Sequence, residues 1–330
     1  MNAAPSISVV IPTFRRPALL LRCLRAIRVQ RLPAGEWFEV LVVDDGHCEQ
    51  TSDCVTALTQ HWPALRYLRP LTTRPGCGPA IARNHGWHAA RAPFIAFTDD
   101  DTVPEPGWLS AGLRELRDRP ELSALAGRVV VPLPQRRPSD HEKMTLGLQH
   151  ASFVTANAFV RRDALEQLHG FDEHFQRAWR EDSDLQFRLE RDIGPVGRSD
   201  HAVVLHPVRP ERWGVSLRQQ RNVFFDALLY RKHRRRYRAE VRAVPPWDYY
   251  AIVALVPVAC LLMLFGQRAA ALTAAAVALG LILAFTVRRL RDTALTPAHM
   301  LEMLATSALI PFLSVYWRLR GALHFKVWFV

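Results

Sequence analysis

FIAFTDDDTVP, at residues 94–104, is an apolar, β-prone run that ends in three consecutive carboxylates. In an open α/β sheet, ligands bind beyond the carboxyl ends of the strands, so these acids are expected to face a site. Because side chains alternate along a strand, Asp99 and Asp101 are expected to converge while Asp100 points away. Paired carboxylates suit Mg²⁺ or Mn²⁺, which in turn hold phosphate oxygens. The spacing therefore predicts a metal-diphosphate site, and the alternative is a solvated acidic turn before Pro104.

Strand-like and helix-like runs alternate on both sides of this stretch. Short β-branched or apolar runs occupy residues 7–11, 40–43, 65–68, 125–131 and 155–160. Apolar residues at helical spacing lie between them, as at 16–28, 51–59 and 108–116. Parallel neighbours need crossover connections of this length, and their strands are continuous apolar runs. The pattern predicts an α/β fold, with a Rossmann-like, mostly parallel sheet and helices on both faces.

Other segments place charged residues near this sheet. Residues 76–86 form a Gly-rich loop that enters a helix, which makes Arg83 a candidate phosphate partner; the alternative is an exposed helix arginine. In the run WREDSDLQFRL, at residues 179–189, the leucine spacing puts Glu181 and Asp182 at a helix start. Acids are common at helix starts because they interact favourably with the helix dipole. This explains a single acid more easily than a pair of acids next to an aromatic residue. Prolines and arginines at 132–140 predict an exposed loop that can close over a ligand.

Composition bounds the class of protein. The 330 residues are 49% hydrophobic, which is ample for a sizeable core. The five cysteines show no CxxC spacing, and their odd number favours free thiols over a disulfide framework. No secretory leader precedes the first strand, so the amino end is expected in the cytosol. The net charge of +12 is concentrated near an apolar tail, and the sheet region has no basic-aromatic recognition motif, which argues against a nucleic-acid partner.

The apolar tail predicts a membrane region. Residues 249–266 and 269–287 are each about long enough to span a bilayer, and their two-residue link suits a membrane hairpin. Arginine clusters flank the hairpin, so both its ends are expected on the cytosolic side of the cytoplasmic (inner) membrane. Cations follow the last apolar segment, so residues 299–330 are predicted to be interfacial or re-entrant. The predicted domains are a cytosolic catalytic domain at 1–230, a basic juxtamembrane linker at 231–248 and a membrane region at 249–330.

Four motifs, taken in order, resemble those of family 2 glycosyltransferases of the GT-A fold. They are SVVIPTF at 8–14, VVDDG at 42–46, FTDDD at 97–101 and REDSDL at 180–185. The resemblance covers roughly residues 6–207 and implies inverting transfer of a sugar from a UDP- or GDP-sugar. The chain departs from the family at Arg15, where many members carry a polar amide. It also lacks the QxxRW element of processive polysaccharide synthases.

The resemblance implies roles for particular residues. Asp99 and Asp101 are expected to bind the divalent metal, and Asp182, paired with Glu181, is expected to be the base. His206 lies where some members present a histidine to the metal, and its alternative is a structural histidine before a proline. The expected donor-binding residues are Pro12, Thr13, Phe14, Arg15, Asp44, Asp45, Arg83, Asp99 and Asp100.

The predicted function is that of a metal-dependent hexosyltransferase whose acceptor is lipid-borne, because a membrane anchor holds the catalytic cleft in the plane where lipids are confined. A nucleotidyltransferase is the nearest alternative, since the same metal chemistry serves it. It would normally carry a Gly-rich phosphate loop directly after the first strand, and residues 12–16 are not one. A non-catalytic membrane scaffold is the remaining alternative. The residues specify neither the donor sugar nor the acceptor.

Overall fold

The computed structural model describes residues 4–70 and 75–329. The chain forms two compact units, which we call the sheet unit and the helical unit. The sheet unit comprises Met1–Pro132 and Leu146–Val208, and the helical unit comprises Leu133–Thr145 and Arg209–Val330. The prediction that no secretory leader precedes the first strand concerns in part Met1–Ala3, which lie outside the described residues.

The sheet unit contains an eight-stranded sheet with the order β3-β2-β1-β4-β7-β6-β8-β5. Strands β1 to β4 pair in parallel, as do β6 and β8, whereas β7 is antiparallel to both its neighbours and β5 is antiparallel to β8. The mostly parallel α/β sheet predicted from the sequence is therefore confirmed. The strands are β1 Ile7–Thr13, β2 Phe38–Asp44, β3 Leu65–Leu68, β4 Phe94–Thr98, β5 Val103–Pro104, β6 Ala124–Val130, β7 Asn157–Arg161 and β8 Val196–Leu205.

Helices cover both faces of the sheet, because the strands are apolar on both faces. Along β1, Val9 and Ile11 join one buried cluster with the leucines of α1 and α4. Val10, which points the other way, joins a second cluster with apolar residues of α3, α6 and α7. The helices of this unit are α1 Pro17–Arg28, α2 Glu49–Thr59, α3 Pro79–Ala89, α4 Trp108–Asp118, α6 Arg162–Leu168 and α7 Glu181–Asp192, whereas α5 Asp140–Leu146 belongs to the helical unit except for its last residue.

The helical unit contains three long apolar helices. Helices α11 and α12 form a hairpin through a turn at Gly266, which has a φ of 75° that glycine adopts without strain. All three of α11, α12 and α13 are long and apolar enough to cross a membrane. The helices are α8 Val215–Gln219, α9 Val223–Lys232, α10 Arg234–Arg236, α11 Trp247–Leu264, α12 Arg268–Leu290 and α13 Pro297–His324.

Helix α13 packs along the part of this unit that precedes the hairpin. Near its start, Glu302 accepts a hydrogen bond of 2.7 Å from the backbone N–H of Gly214. Near its end, the ring of Phe224 lies 6.4 Å from that of Trp317 and 5.0 Å from that of Phe325. Both ends of α13 therefore contact segments that come before α11 in the chain.

A largely buried arginine joins α13 to the open end of the hairpin. Arg289, near the end of α12, donates hydrogen bonds of 2.7 Å to the Thr306 hydroxyl and 3.0 Å to the Ser307 hydroxyl. It also pairs with Asp140 Oδ2 at 2.7 Å. Asp140 is the last residue of the stretch that the sequence predicts to be an exposed loop, and it begins the short helix α5; residues 132–139 before it are irregular, and residues 134–137 are exposed.

Candidate active site

The candidate site lies where parallel strands of the sheet unit end. Thr13, Asp44 and Thr98 are the last residues of β1, β2 and β4, which pair with one another in parallel. Because parallel strands present their carboxyl ends at one edge of the sheet, the loops that follow these strands meet there. The acidic run after β4 therefore lies at the edge where a ligand is expected.

Three potential metal ligands come together at this edge. Asp99, Asp101 and His206 each offer a ligand atom, and these atoms all lie within 4.8 Å of one another. His206 Nε2 is 3.6 Å from Asp101 Oδ1. The other ring nitrogen, Nδ1, is buried and has no hydrogen-bond partner among the described residues. Two carboxylates and an imidazole form a donor set that fits a divalent cation such as Mn²⁺.

The middle acid of the run points away from this cluster, as expected, although the three acids lie in a turn after β4 and not in the strand itself. Asp100 Oδ2 accepts a hydrogen bond of 2.7 Å from the Thr13 hydroxyl, and Oδ1 pairs with Arg16 at 3.0 Å. Burial raises the pKa of Asp100 to about 6, and Arg16 opposes that shift. Asp100 is 3% exposed, so the structure gives it a supporting position, and a donor contact stays a prediction. Nothing in the local sequence predicts that Arg16 pairs with Asp100.

Arg83 connects the acidic run to the start of α7. Its Nη2 donates to Asp99 Oδ1 at 2.9 Å, and its Nη1 donates to Glu181 Oε1 at 2.9 Å. The guanidinium is 3% exposed, so the ion pair with Glu181 is shielded from solvent, whereas the Asp99 side chain is 29% exposed. Arg83 is therefore a buried bridge between two carboxylates, and the phosphate contact expected for it stays a prediction.

Glu181 and Asp182 begin α7 directly after a strained residue. Arg180 has a φ of 76°, in the left-handed region, and its guanidinium lies 4.6 Å from the centre of the Trp179 ring. Burial raises the pKa of Glu181 to about 7, and the charge of Asp182 adds to that rise while Arg83 opposes it. Burial also raises the pKa of Asp182, against the hydrogen bond from the Ser183 N–H. The helix start therefore does not prevent Asp182 from being a stronger base than an ordinary aspartate.

The acids after β2 hold neighbouring loops. Asp44 is fully buried and accepts hydrogen bonds from the Gly46 and Cys48 N–H groups and from the Tyr67 hydroxyl. Asp45 accepts hydrogen bonds of 2.9 and 2.8 Å from the backbone N–H groups of Cys77 and Gly78. Both carboxylates therefore shape the loops at this edge, and their contacts with a nucleotide stay predictions.

The loop after β1 borders the same region. Phe14 is 41% exposed, and a Cβ added at Gly76 would lie 3.2 Å from its ring. Arg15 has a φ of 54°, and its Nε lies 3.4 Å from the Gly46 carbonyl oxygen. Residues 12–15 thus lie beside the loops that Asp44 and Asp45 hold. Their predicted role in donor binding is not tested by these contacts.

A comparison with protein families identifies the family of the chain. Residues 8–186 match the family described as Glycosyl transferase family 2, which is more than half of the chain. The chain belongs to this family. The matched range contains Arg83, Asp99, Asp101 and the Glu181–Asp182 pair, whereas His206 lies beyond it. Membership of glycosyltransferase family 2 favours sugar transfer over the nucleotidyltransferase alternative.

Individual relatives agree with the family 2 assignment. The chain is 32% identical over 219 residues to the pre-mycofactocin glycosyltransferase of Mycobacterium tuberculosis, covering 62% of this chain and 43% of that protein. It is 29% identical over 114 residues to the GalNAc(5)-diNAcBac-PP-undecaprenol beta-1,3-glucosyltransferase of Campylobacter jejuni, covering 34% of this chain and 35% of that protein. The chain thus spans less than half the length of either relative.

A solved structure identifies the fold. The mannosyltransferase PcManGT from Pyrobaculum calidifontis, in complex with GDP-Man and Mn²⁺, aligns with a TM-score of 0.58 over 94% of this chain and 88% of that one. The two sequences are 20% identical, so the likeness concerns the fold. The GT-A fold expected for a family 2 member is confirmed.

Proposed function

We propose that this glycosyltransferase moves a sugar, with inversion, from a nucleoside-diphosphate sugar to a lipid-borne acceptor at the cytosolic face of the cytoplasmic membrane. The observation that carries the proposal is the bridge formed by Arg83. It links a carboxylate of the candidate metal cluster, Asp99, to the pair that contains the candidate base, Glu181–Asp182. Donor activation and proton removal are thereby assigned to one cleft of the sheet unit.

A divalent cation, Mg²⁺ or Mn²⁺, fits the donor set of this cleft. Asp99, Asp101 and His206 would hold it, and the buried, unpartnered Nδ1 of His206 leaves the imidazole without a competing structural hydrogen bond among the described residues. When bound, such a cation neutralises charge on the diphosphate leaving group. The GDP-Man and Mn²⁺ bound by the archaeal mannosyltransferase support this assignment and a UDP- or GDP-sugar donor.

The chain's own acids supply the proton chemistry. Asp182 is partly exposed and its pKa is raised by burial, so it can accept the proton of an acceptor hydroxyl as that hydroxyl attacks the sugar. Arg83 holds Glu181 in an ion pair, which leaves Asp182 as the carboxylate available to the acceptor. A single displacement of this kind inverts the sugar carbon and needs no second carboxylate as nucleophile.

Membrane attachment supports a lipid-borne acceptor. We assign residues 1–230 to the catalytic domain, 231–248 to a basic juxtamembrane linker and 249–330 to the membrane region. Seven cations and two acids lie between residues 226 and 242, next to the hairpin, which favours a cytosolic location for its open end. The relative from Campylobacter is named for an undecaprenol-linked acceptor, which supports the same class here.

Helix α13 is proposed to lie in the membrane surface rather than to cross the bilayer. Thr306 and Ser307 contact Arg289 at the open end of the hairpin, and residues 317–325 contact Phe224, which also precedes the hairpin. Twelve helical residues span about 18 Å, so a crossing helix anchored at Thr306 would carry Arg318 deep into the bilayer. Contacts at both ends with segments before α11 favour an orientation across the hairpin's open end.

The experiment uses the full chain reconstituted in lipid vesicles with Mn²⁺. UDP- and GDP-sugars are screened for hydrolysis and for transfer to membrane lipid extracts or to water-soluble sugars, and the anomeric configuration of the product is determined by NMR. Transfer to a lipid with inversion is expected. Retention of configuration, or equal transfer to a soluble sugar, would contradict the corresponding part of the proposal.

A further inference from the structure

One cation beside the acidic run has no role in the function proposed above. Arg16 lies between β1 and α1, and its Nη1 pairs with Asp100 Oδ1 at 3.0 Å. The same nitrogen lies 3.8 Å from Oδ2 of Asp101, which is one of the candidate metal ligands. A positive charge therefore lies directly beside the cluster where the donor diphosphate is proposed to bind.

Arg16 is anchored at one nitrogen and open to solvent. Its ion-pair partner Asp100 is almost fully buried, whereas the Arg16 side chain is 37% exposed. Nη1 makes both contacts with the acids, and a guanidinium carries five N–H donors in one fixed plane. Because the ion pair holds one nitrogen, the exposed part of the group is kept in place and is accessible to a ligand.

The start of α1 adds to this positive charge. Arg16 immediately precedes the helix, and its carbonyl oxygen accepts a hydrogen bond of 3.0 Å from the Leu20 N–H. The first turn of α1 contains no acidic residue. The amino end of a helix carries partial positive charge, which disfavours a cation and favours an anion. An arginine at this position therefore suits the binding of an anion from solution.

Other side chains hold the main chain of the acidic run. Arg22 Nη2 donates to the Asp101 carbonyl oxygen at 3.0 Å, and the Thr102 hydroxyl donates to the Asp99 carbonyl oxygen at 2.8 Å. The run thus has anchors that do not include Arg16. Loss of the Arg16 side chain is therefore expected to leave the two metal-binding aspartates in place.

We propose that Arg16 binds the diphosphate of the nucleotide-sugar donor directly. A planar guanidinium fits phosphate oxygens well, and a charge-assisted contact of this kind is stronger than a neutral hydrogen bond. The inference rests on the proposed function. It adds a contact from the chain itself, separate from the contact that a metal ion supplies, for the same group of the donor.

Metal binding without nucleotide separates this role from a purely positioning one. If Arg16 only oriented Asp101, its removal would weaken the binding of Mn²⁺ alone. If Arg16 contacts the phosphates, its removal takes a positive charge away from the metal cluster, so Mn²⁺ alone binds as well as before or more tightly. The affinity for the diphosphate then falls although the affinity for the metal does not.

The test uses the full chain in detergent, with the variants Arg16→Gln and Arg16→Lys. The matched control is Arg25→Gln, which removes an exposed arginine from α1. Electron paramagnetic resonance follows the binding of Mn²⁺ alone. Calorimetry with Mn²⁺ follows the binding of UDP and GDP, and of UMP and GMP. Measurements at roughly 0.5 M salt suppress general attraction between the basic chain and the nucleotides.

Loss of one charged contact corresponds to about a 10- to 100-fold loss of affinity. This loss is expected for the diphosphate that the wild type binds when Arg16 is replaced with glutamine. Arg16→Lys, which keeps the charge but not the planar donor group, is expected to lose less, and Arg25→Gln almost nothing. A loss with the diphosphate alone places the contact at the terminal phosphate, and a loss with the monophosphate as well places it at the phosphate next to the nucleoside.

Unchanged diphosphate affinity in Arg16→Gln would overturn the proposal, as would a matching loss in the binding of Mn²⁺ alone. If Arg16→Gln does not fold, the double variant Arg16→Gln/Asp100→Asn removes both charges of the ion pair. Its diphosphate affinity is then compared with that of Asp100→Asn, and equal affinities overturn the contact. A wild-type chain that binds neither UDP nor GDP with Mn²⁺ would instead refute the donor class proposed above.

Discussion

Replacing Arg83 with methionine removes the guanidinium but keeps an unbranched side chain of similar reach. Arg83 is the buried partner of both Asp99 and Glu181, each at 2.9 Å. Removing one partner of a buried ion pair costs about 3–5 kcal/mol, because the other charge is left uncompensated. At about 2–4 °C per kcal/mol for a unit of roughly 200 residues, the unfolding midpoint is expected to fall by roughly 6–20 °C.

The size of this effect should depend on pH through Glu181. Its folded-state pKa is about 7, above the ordinary value of 4.5, so the stability it contributes is lost as pH rises from 4.5 to 7. Arg83 opposes the rise in that pKa, so its removal raises the pKa further. The loss of stability then continues above pH 7 in the variant only. The stability gap between wild type and Arg83→Met is expected to widen between pH 7 and about pH 9.

The assay combines thermal unfolding across this pH range with steady-state transfer kinetics. Arg188→Met is the matched control. Arg188 pairs with Asp184 at 2.8 Å on α7, the helix that also carries Glu181, and it does not contact Asp99. Both variants are expected to be destabilised. Only Arg83→Met is expected to lose donor affinity and turnover together. A gap that is independent of pH, or normal transfer by Arg83→Met, would refute the bridging role of Arg83.

Three further outcomes are expected. Asp101→Asn should weaken Mn²⁺-dependent binding of a nucleoside diphosphate by at least about 10-fold in calorimetry, since a charged contact is lost; unchanged affinity would remove Asp101 from the metal site. Asp182→Asn should keep donor binding but lower transfer by about 10²- to 10⁴-fold, and near-normal turnover would move the base to Glu181. Arg289→Gln should increase hydrogen exchange around Asp140, which it pairs with, and unchanged exchange would show that the segment is held by other contacts.

The sequence identifies the elements whose residues are uniformly apolar. Strands β1, β2 and β4 are continuous β-branched or aromatic runs, so their positions and carboxyl ends follow from the pattern. Strand β8 was not predicted because its first half, VGRSDH, is polar and half exposed. Its hydrogen-bonded pairing with β6 stabilises a strand that the local sequence does not predict. That pairing brings His206 to the candidate metal cluster, so only the resemblance indicates this histidine.

Side-chain partnerships were harder to predict than positions. The Gly-rich loop indicated Arg83 and the resemblance indicated Glu181, but the two are 98 residues apart and nothing local indicates that they pair. The exposure of Arg83 was left open for the same reason, since burial depends on how α3 packs against α7. Arg318 shows the same limit in the helical unit. The pattern of an apolar segment followed by cations predicts a membrane surface, but not that one of those cations is enclosed.

The charges of the cleft explain why a cation fits it better than a bare diphosphate. Acids outnumber arginines in this network, which comprises Asp99, Asp100, Asp101, Glu181, Asp182, Arg16 and Arg83. Burial raises the pKa values of Asp100 and Glu181 to about 6 and about 7, and the neighbouring acids Asp101 and Asp182 add to these rises. A diphosphate brought next to these acids alone would be repelled. A divalent cation reverses the sign of the interaction, so the excess of acids supports the proposal that this cleft binds its donor through a metal.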